Sequence, residues 1–546
     1  MSKRVIGKVS ATESSPTTSD SFVFWLKDDE IVAPFDIVAA GNMSETTTYG
    51  QITDLAFASD SPSHIGNYVS SDFGRTEDVA NTPRLGTTYV TAEVLTNTGD
   101  VYMPLREGRA VSVADEEGVR KALGLERIRK EDRIPAGFLS LSSGISVEVS
   151  FDRRFLIGPE SAHLNVSGIS GLAAKTSYIM FVLRALQQRC ENTAVVVLNV
   201  KGQDLLHLHQ PNPDLSASDK ADWQRCGLES GPFDRVTYFY PFTDRADWRY
   251  ANTACNPDTR QELLSDGRAH NYVYTFEEDK GKLDLLFSNV DDPNLTIDSI
   301  IDEIETGPQF SNIATWDDLL EAIRQRMQKG QASENQAIQT VSWRKFYRLL
   351  KLHMSERGGL YQGTRSQAPD KHQVSLSKSV ADIRSGDMYV VDIANLEEQE
   401  QCLVFGDIIK TVYEMKLGET DREDVPERVI IFVDELNKYA PSTMKSSPII
   451  RELLEITERG RSLGVVLFSA QQFKSAVHDR VKGNCGTHAF GRTNVTEVNK
   501  PDYRSIPKSS SNMMTRLPQG SLVLQHPPYP RLLKVSFPKP CYLQPK

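Results

Sequence analysis

The chain has 546 residues, a formal net charge of −11, and 39% hydrophobic and 25% charged residues. This length exceeds what one hydrophobic core accommodates, so we expect a soluble globular protein of two to four domains. No apolar run approaches the roughly 20 residues of a membrane helix, and residues 1–8 lack the apolar region of a secretory signal, which predicts a cytoplasmic protein. The acidic balance argues against a protein coated with nucleic acid, although it is compatible with a small basic pore in a ring.

The six cysteines are widely separated along the chain. No close pair suggests a zinc site or a disulfide framework, and we therefore expect reduced thiols.

Residues 1–150 are predicted to form an all-β domain. Short runs such as Ser21–Leu26 and Thr87–Val94 alternate with turns rich in Gly, Asp, Asn and Ser. Strands of this spacing indicate a small β-barrel or sandwich, and one helix is expected near Asp115–Leu125. We expect this domain to serve in assembly or partner docking, because its residues suggest no catalytic chemistry.

The first glycine-rich turn after residue 151 has the order of a phosphate-binding loop. The short apolar strand Leu164–Ser167 leads into the turn, then a lysine and two hydroxyl side chains, then the apolar helix Tyr178–Leu186. Backbone N–H groups at the start of such a helix bind phosphate oxygens, Lys175 adds a positive charge, and Thr176 can reach Mg²⁺. The predicted nucleotide-binding residues are Gly168, Ile169, Ser170, Gly171, Leu172, Ala173, Ala174, Lys175, Thr176 and Ser177.

The spacing of this loop departs from the usual pattern. Glycines normally stand six and one residues before the lysine, and Ile169 and Ala174 occupy those positions here. Gly168 and Gly171 precede Lys175 by seven and four residues, as if one residue had been inserted. Taken alone, the stretch is also compatible with an ordinary strand–turn–helix.

Residues 151–280 are predicted to be the first part of an α/β core. Ala194–Val200 is apolar except for Asn199, which is typical of a parallel strand buried on both faces. It ends in a polar turn, Lys201–Asp204, at the edge where ligands bind in open α/β sheets. This position suits either contact of Lys201 or Asp204 with nucleotide or nucleic acid, or a plain loop.

Residues 281–378 are predicted to form a helical insertion. Apolar residues recur at helical spacing over 316–327, behind Thr315 with Asp318 as a cap, and again over 343–354. The polar stretch 328–335 between them is predicted to be a linker. The second helix has basic residues outside its apolar stripe, which favours a solvated face, with contact to a phosphate backbone as the alternative; they are Arg344, Lys345, Arg348 and Lys351.

The core is predicted to resume over 379–517, and residues 518–546 to form an extended C-terminal arm rich in proline. Leu522–Leu524 and Leu533–Val535 in this arm are strand-like. The predicted strands of the second part of the core are Asp387–Ile393, Arg428–Glu435 and Leu463–Gln472, and its predicted helices are Gln401–Lys416 and Ile449–Thr457.

Asp434 and Glu435 end an apolar strand. Acids beside a buried strand cost free energy unless they have a function. With a phosphate loop upstream, the pair predicts ATP hydrolysis: Asp434 holds Mg²⁺ through water, and Glu435 orients or deprotonates the attacking water.

The next strand adds polar candidates at both of its ends. Gln471, near its carboxyl end, is placed to bond the γ-phosphate or the attacking water, whereas Gln472 alternates to the other face. Arg459 and Arg461 precede the strand and cannot readily reach a nucleotide of their own subunit. Either is predicted to reach the nucleotide of the adjacent subunit in a ring, with Arg461 the preferred candidate and surface salt bridges the alternative.

These motifs together resemble HerA-type ATPases of the HerA–FtsK superfamily. The shared features are a barrel before the phosphate loop, a helical insertion, the Val433-Asp434-Glu435 strand end, and Gly460–Val465 before a strand ending in Ala470-Gln471-Gln472. The resemblance extends over nearly the whole chain, but only the nucleotide motifs are specific. Family loops normally contain Gly-x-Thr-Gly-Ser-Gly-Lys-Ser, whereas Leu172–Ala174 replaces Ser-Gly here with one extra residue.

The resemblance implies an α/β fold with a RecA-like P-loop core, assembled as a homohexamer that uses ATP and Mg²⁺. It also implies that Gln471 and Arg461 complete the site between subunits. Family members thread duplex DNA through the pore beside nucleases, and bacterial relatives are paired with nucleases or Sir2-like effectors in anti-phage defence. The barrel is then the expected docking surface for the effector.

Two other hypotheses stay open. One is a scaffold in which ATP holds a ring that arrays and licenses a partner effector without moving DNA. The other is a nucleotide-binding enzyme of small-molecule metabolism, which the lack of a second catalytic constellation disfavours. His207 and His209 are also compatible with zinc binding on one strand face, although no further metal ligand stands at a suitable spacing.

Overall fold

The computed structural model describes residues 4–61, 63–77, 85–243, 251–290, 292, 295–328, 338–356, 359–418 and 422–545. The chain divides into two compact units. The first contains residues 1–152 and 503–537, and the second contains residues 153–502 and 538–546.

The strands, in chain order, are β1 Val5–Ser10, β2 Ser21–Leu26, β3 Ile37–Gly41, β4 Thr47–Ser59, β5 Gly86–Asn97, β6 Ala110–Val113, β7 Arg133–Ser140, β8 Ser146–Asp152, β9 Leu164–Ser167, β10 Thr193–Asn199, β11 Val236–Pro241, β12 Ala269–Tyr272, β13 Tyr274–Thr275, β14 Tyr361–Gln362, β15 Gln373–Val374, β16 Met388–Asp392, β17 Arg428–Asp434, β18 Val465–Gln471, β19 Thr487–Phe490, β20 Ser521–Gln525 and β21 Leu533–Ser536.

The α-helices are α1 His64–Ser70, α2 Glu116–Ala122, α3 Arg153–Leu156, α4 Lys175–Arg189, α5 Ala217–Arg225, α6 Pro257–Ser265, α7 Phe276–Asp279, α8 Leu283–Leu286, α9 Thr296–Thr306, α10 Trp316–Arg326, α11 Thr340–Glu356, α12 Leu376–Ala381, α13 Glu398–Leu417, α14 Pro448–Glu455, α15 Arg461–Leu463, α16 Asp479–Gly483, α17 Val495–Val498 and α18 Lys508–Met514. None of the helices in the described ranges is long and apolar enough to cross a bilayer.

The first unit contains a closed β-barrel with the strand order β1-β2-β5-β4-β3-β6. Alternate residues of β2, namely Phe22, Phe24 and Leu26, are buried in its core, as the period of a strand requires. The expected helix is α2, and the Asp115 side chain caps it by accepting a hydrogen bond from the Gly118 N–H at 2.8 Å. The predicted N-terminal barrel is confirmed.

Four further strands of this unit pair antiparallel in the order β20-β21-β7-β8. The Asp152 N–H donates to His526 Nε2 at 3.0 Å, which fixes the turn between β20 and β21 against β8. The structure therefore divides the stretch predicted as one extended arm: β20 and β21 form a hairpin in the first unit, and residues 538–546 belong to the second. The partners of this hairpin lie far away in sequence, so no local pattern indicated the pairing.

The second unit is built on a parallel sheet with the order β15-β12-β11-β16-β10-β17-β18-β9-β19. Strands β10, β17 and β18 are buried along almost their whole length. Each neighbouring pair is parallel. The glycine-rich turn follows β9 and the acid pair ends β17, with β18 between these two strands. The predicted α/β fold class is confirmed.

Helices α8 to α11 form the predicted helical insertion. Thr315 and Asp318 cap α10 reciprocally, each side chain accepting a hydrogen bond from the other residue's N–H at 3.1 Å. The Trp316 indole donates to Tyr274 O at 3.0 Å and joins α10 to the core. The basic residues of α11 are exposed. Apart from Gln328, the predicted linker 328–335 lies outside the described residues.

A buried ionic cluster connects the start of the insertion to α13. Lys282 Nζ lies 2.8 Å from Asp279 Oδ1 and 2.7 Å from Asp407 Oδ1. The Tyr274 hydroxyl donates to Asp407 Oδ2 at 3.1 Å. Burial raises the pKa of Asp407, although the Lys282 charge opposes this shift. Among the residues that the structure describes, Lys282 is the cation paired with both carboxylates.

Replacing Lys282 with Ala should lower the free energy of unfolding of the second unit by about 3 kcal/mol, because it leaves buried carboxylates without a counter-charge. Urea unfolding followed by circular dichroism measures the effect. Lys280→Ala, an exposed residue of the same turn, is the matched control and should behave like the wild type. Equal unfolding midpoints for the two variants would contradict a stabilising role of the cluster.

Candidate functional site

Five adjacent strands of the second unit, β10-β17-β18-β9-β19, run parallel and end at one edge of the sheet. Parallel strands place the residues that follow their carboxyl ends side by side. The predicted site residues at this edge are Lys201 after β10, Asp434 and Glu435 at the end of β17, Gln471 at the end of β18, and the phosphate loop after β9. The sheet thereby brings together stretches that are more than 250 residues apart in sequence.

The phosphate loop leaves β9 through Gly168, whose backbone has φ +147°. A Cβ atom at this position would lie 2.7 Å from Ala173 Cβ and 2.9 Å from Arg492 O. The Ile169 N–H donates to Arg492 O at 2.8 Å, and the Ala173 N–H donates to Ile169 O at 2.9 Å. Only glycine meets both the backbone and the space requirement at residue 168.

Ala174 stands directly before α4 and has a left-handed backbone, with φ 47° and ψ 38°. Loops of the HerA-type family have glycine directly before the lysine. Ala174 thus keeps the backbone turn that glycine normally provides, at a cost of about 1 kcal/mol. Helix α4 begins at Lys175, and the first N–H groups of a helix have no intrahelical acceptor and suit phosphate oxygens.

Lys175 is almost completely buried, with 6% of its surface exposed. Its Nζ donates to Gly168 O at 2.9 Å and to Ser170 Oγ at 3.3 Å. Burial lowers the pKa of Lys175, and the charges of Asp434 and Glu435 oppose that shift. The lysine is therefore fixed across the loop, with its charge directed to the acids at the end of β17.

The two predicted metal ligands contact each other. The Thr176 hydroxyl donates to Asp434 Oδ2 at 3.2 Å, and the Glu435 N–H donates to Asp434 Oδ1 at 2.9 Å. Asp434 and Glu435 are both buried, and Glu435 has a left-handed backbone with φ 55°. A hydroxyl and a carboxylate oxygen in contact are the hard ligands that Mg²⁺ prefers.

Lys201 reaches the same acids from the turn after β10. Its Nζ lies 2.7 Å from Glu435 Oε1 and 4.0 Å from Asp434 Oδ2. Burial lowers the pKa of Lys201, but its hydrogen bond to Glu435 and the charge of Asp434 outweigh this effect and leave the pKa raised. Burial, together with the charge of Asp434, raises the pKa of Asp204 in the same turn. The structure thus places the Lys201 ammonium beside both acids, and its contact with a nucleotide stays a prediction.

Gln471 is completely buried at the end of β18. Its Nε2 donates to Asn165 Oδ1 at 2.9 Å, and Asn165 Nδ2 donates to Ser469 Oγ at 3.1 Å. Gln471 Oε1 is buried and has no hydrogen-bond partner within the described part of the chain. The amide is thus held in place by Asn165, and its Oε1 is a buried acceptor at the carboxyl end of β18.

Arg459 and Arg461 lie at the opposite end of β18 and do not join this cluster. A five-residue π-helical turn, Ile456–Gly460, precedes Arg461, and both arginines are exposed. The seven residues of β18 separate Arg461 from Gln471 by roughly 20 Å. Arg459 Nη1 pairs with Glu455 Oε2 at 3.0 Å, as the salt-bridge alternative expects, and no such ion pair is found for Arg461 among the described residues.

The sequence did not predict a role for Asn165 or for the segment Gly491–Arg492, which lies against the phosphate loop. The signal for Asn165 was a polar residue inside an apolar strand. Gly491 follows β19, and a Cβ there would lie 2.5 Å from Ala173 Cβ. A glycine directly after a strand can indicate that another backbone packs closely against it.

The two histidines considered for zinc make other contacts. His209 Nδ1 lies 2.8 Å from the Tyr238 hydroxyl, and His207 Nε2 lies 3.3 Å from Gln203 Oε1. Within the described ranges, no group of three or more His, Cys, Asp or Glu side chains is arranged to hold a metal ion.

Comparison with known proteins gives distant structural similarities. No protein-family model and no curated protein matches the chain. The bacterial conjugative coupling protein TrwBΔN70 is similar at 13% identity and a TM-score of 0.43, covering 78% of this chain and 93% of that one. VirB4 of Thermoanaerobacter pseudethanolicus is similar at 12% identity and a TM-score of 0.44, covering 75% and 97%.

A third similarity is to the genome packaging NTPase B204 of Sulfolobus turreted icosahedral virus 2. It has 12% identity and a TM-score of 0.23, and covers 30% of this chain and 72% of that one. Because these TM-scores are below 0.5, the similarities do not establish the chemistry of the site. The HerA-type assignment stays a prediction from the sequence.

Replacing Ala174 with Gly should raise the free energy of unfolding by about 1 kcal/mol, because glycine adopts the left-handed conformation without the Cβ conflict. Urea unfolding of the purified protein measures the change. Ala173→Gly is the matched control and should destabilise, since Ala173 is buried against Gly168 and Gly491. A loss of stability in Ala174→Gly would show that the turn is not strained.

Proposed function

We propose that the chain is a P-loop ATPase that hydrolyses ATP with Mg²⁺. The observation that supports this most directly is that Thr176 contacts Asp434 and Asp434 contacts Glu435 at the carboxyl edge of the sheet. Lys175 is held across the adjacent loop, and its charge interacts with both acids. The site combines a loop with a helix N-terminus for phosphates, a fixed cation, a hydroxyl–carboxylate pair and a second carboxylate. In-line phosphoryl transfer depends on this kind of positioning and charge neutralisation.

The residues present fit ATP and Mg²⁺. Residues 168–177 would hold the phosphates through backbone N–H groups and the Lys175 ammonium. Thr176 and Asp434 would hold Mg²⁺, directly or through water, and a bound Mg²⁺ neutralises phosphate charge. The contact between their oxygens already directs both toward one point.

Glu435 and Gln471 are the proposed residues for activation of water. A carboxylate beside the phosphates can orient a water and accept its proton. Gln471 has a buried amide whose Nε2 is occupied by Asn165 and whose Oε1 is unbonded among the described residues. That oxygen is suited to accept a hydrogen bond from the attacking water, which would make Gln471 a second positioning group.

The arginines before β18 support assembly into a ring. Arg461 lies roughly 20 Å from its own site and is exposed, so it would serve the nucleotide of a neighbouring subunit. By resemblance to HerA-type ATPases, we propose a cytoplasmic homohexamer that translocates on or remodels duplex DNA. Its proposed partner is a nuclease or Sir2-like effector docked through the barrel, with a role in anti-phage defence.

A second candidate function is an ATP-dependent scaffold that arrays an effector without moving DNA. Large apolar side chains are exposed in the first unit around the β4–β5 hairpin: Phe57 is 70%, Ile65 74% and Leu85 78% accessible. Apolar side chains exposed in one region are typical of protein docking surfaces. A docking surface is compatible with both candidate functions, but only the scaffold function requires one.

Glu435→Gln should lower kcat for ATP hydrolysis at least about 100-fold while leaving ATP binding intact, because it removes only the proton acceptor. Lys175→Ala should abolish ATP binding, since it removes the cation across the loop. Steady-state phosphate release and binding of a fluorescent ATP analogue separate the two effects. Glu423→Gln, an exposed carboxylate near β17, is the control. Wild-type hydrolysis in both site variants would mean that the site is misassigned.

Duplex DNA should stimulate hydrolysis if the ring is a DNA motor. Binding through phosphate contacts should also weaken with salt, with a slope of about −0.9 in log K against log salt for each neutralised phosphate. Fluorescence anisotropy of labelled duplex DNA at several salt concentrations gives the slope. Slow hydrolysis that ignores DNA, with effector binding lost on deletion of residues 1–150, would favour the scaffold.

A further inference from the structure

Lys201 forms the closest ion pair at the acid pair of the site. The distance from Nζ to Glu435 Oε1 is 2.7 Å, and the distance to Asp434 Oδ2 is 4.0 Å. One ammonium group therefore faces both carboxylates. The phosphate-loop lysine, by contrast, directs its hydrogen bonds to Gly168 O and Ser170 Oγ.

The backbone of the Lys201 turn is fixed by hydrogen bonds that do not involve the acids. β10 lies parallel to β17, with Val197 opposite Phe432, so the residues after β10 face the end of β17. Asn199 Nδ2 donates to Gly202 O and to Asp392 Oδ1, both at 2.8 Å. The turn consequently presents the lysine to the acids from a rigid base.

The side chains of this pair differ in their freedom to move. The Lys201 side chain is 45% exposed, whereas those of Asp434 and Glu435 are 8% and 9% exposed. Partly exposed ion pairs contribute little to stability, so this contact is easily broken. The lysine can leave toward solvent while the carboxylates stay in place.

We propose that Lys201 is an internal cation that neutralises the acid pair in the nucleotide-free site. Its ammonium takes one acceptor position of Glu435 Oε1 and holds a positive charge against the carboxylate that would orient the attacking water. Lys201 is in this sense a positioning residue that suppresses hydrolysis in the empty or partly assembled site. The inference rests on the proposed ATPase function for its effect on turnover, but not for the pairing itself.

Competition between cations explains how Lys201 would be released. A divalent ion held by Thr176 and Asp434 would place a second positive charge a few ångströms from the Lys201 ammonium. Like charges at that distance repel strongly in a partly buried site. Lys201 and a divalent ion therefore compete for the same carboxylates, and binding of either one weakens binding of the other.

The pairing can be tested with Mn²⁺ alone, by measuring free Mn²⁺ with electron paramagnetic resonance in the absence of nucleotide. Lys201→Met should bind Mn²⁺ at least about fivefold more tightly than the wild type, because the competing charge is removed. Lys201→Arg keeps the charge and should retain the weak binding of the wild type. Lys220→Met, at an exposed position on α5, is the control for loss of a lysine elsewhere.

The release step is tested by hydrolysis kinetics of the same variants. Lys201→Met should raise the basal kcat several-fold with KM for ATP and Mg²⁺ unchanged or lowered, and Lys201→Arg should restore the low rate. Unchanged Mn²⁺ affinity in Lys201→Met would overturn the pairing. A fall in kcat with a rise in KM would overturn the suppressing role and make Lys201 a phosphate ligand.

These outcomes are distinguishable from failure of the proposed function. If the wild type neither binds nor hydrolyses ATP, the ATPase proposal fails, whereas the Mn²⁺ measurement still decides whether Lys201 compensates the acid pair. Because Lys201 is half-exposed, both variants should fold, which a thermal unfolding midpoint near that of the wild type would verify.

Discussion

Parallel pairing of strands β10, β17, β18, β9 and β19 is the constraint on which the rest of the site depends. Because neighbours run in the same direction, their carboxyl ends form one edge, where the polar residues that follow or end β10, β17, β18 and β9 meet. Hydrogen bonds across this edge, such as Thr176 to Asp434 and Gln471 to Asn165, then set the distances between groups. The strand order determines which functional groups are neighbours, and the side-chain hydrogen bonds determine how far apart these groups lie.

The parts that could be predicted from the sequence are those in which local pattern and tertiary structure agree. A buried parallel strand is continuously apolar, so β10, β17 and β18 were identified with ends within two residues of those observed. The phosphate loop and the acid pair were found for the same reason, since each is a short motif at the end of such a strand. The capped helix α10 likewise has both its start signal and its apolar stripe in consecutive residues.

The parts that could not be predicted depend on contacts between distant residues. The Lys201 turn is compatible with a plain loop until β10 is placed beside β17, and Asn165 is an isolated polar residue until Gln471 is placed opposite. The β20–β21 hairpin pairs with β7, whose sequence lies almost 400 residues earlier. Pairing of this kind is determined by the fold as a whole and leaves no periodic signal in either segment.

Glu435 shows how stability and chemistry place opposing demands on one residue. Its backbone lies in the left-handed region, at φ 55°, where glycine is favoured by about 1 kcal/mol. Glycine would satisfy the turn after β17 but would provide no carboxylate. The chain thus tolerates an unfavourable backbone to retain an acid at this point, a compromise that an optimisation for thermal stability alone would remove. Stabilised versions of this protein designed without regard to function would lose this residue early.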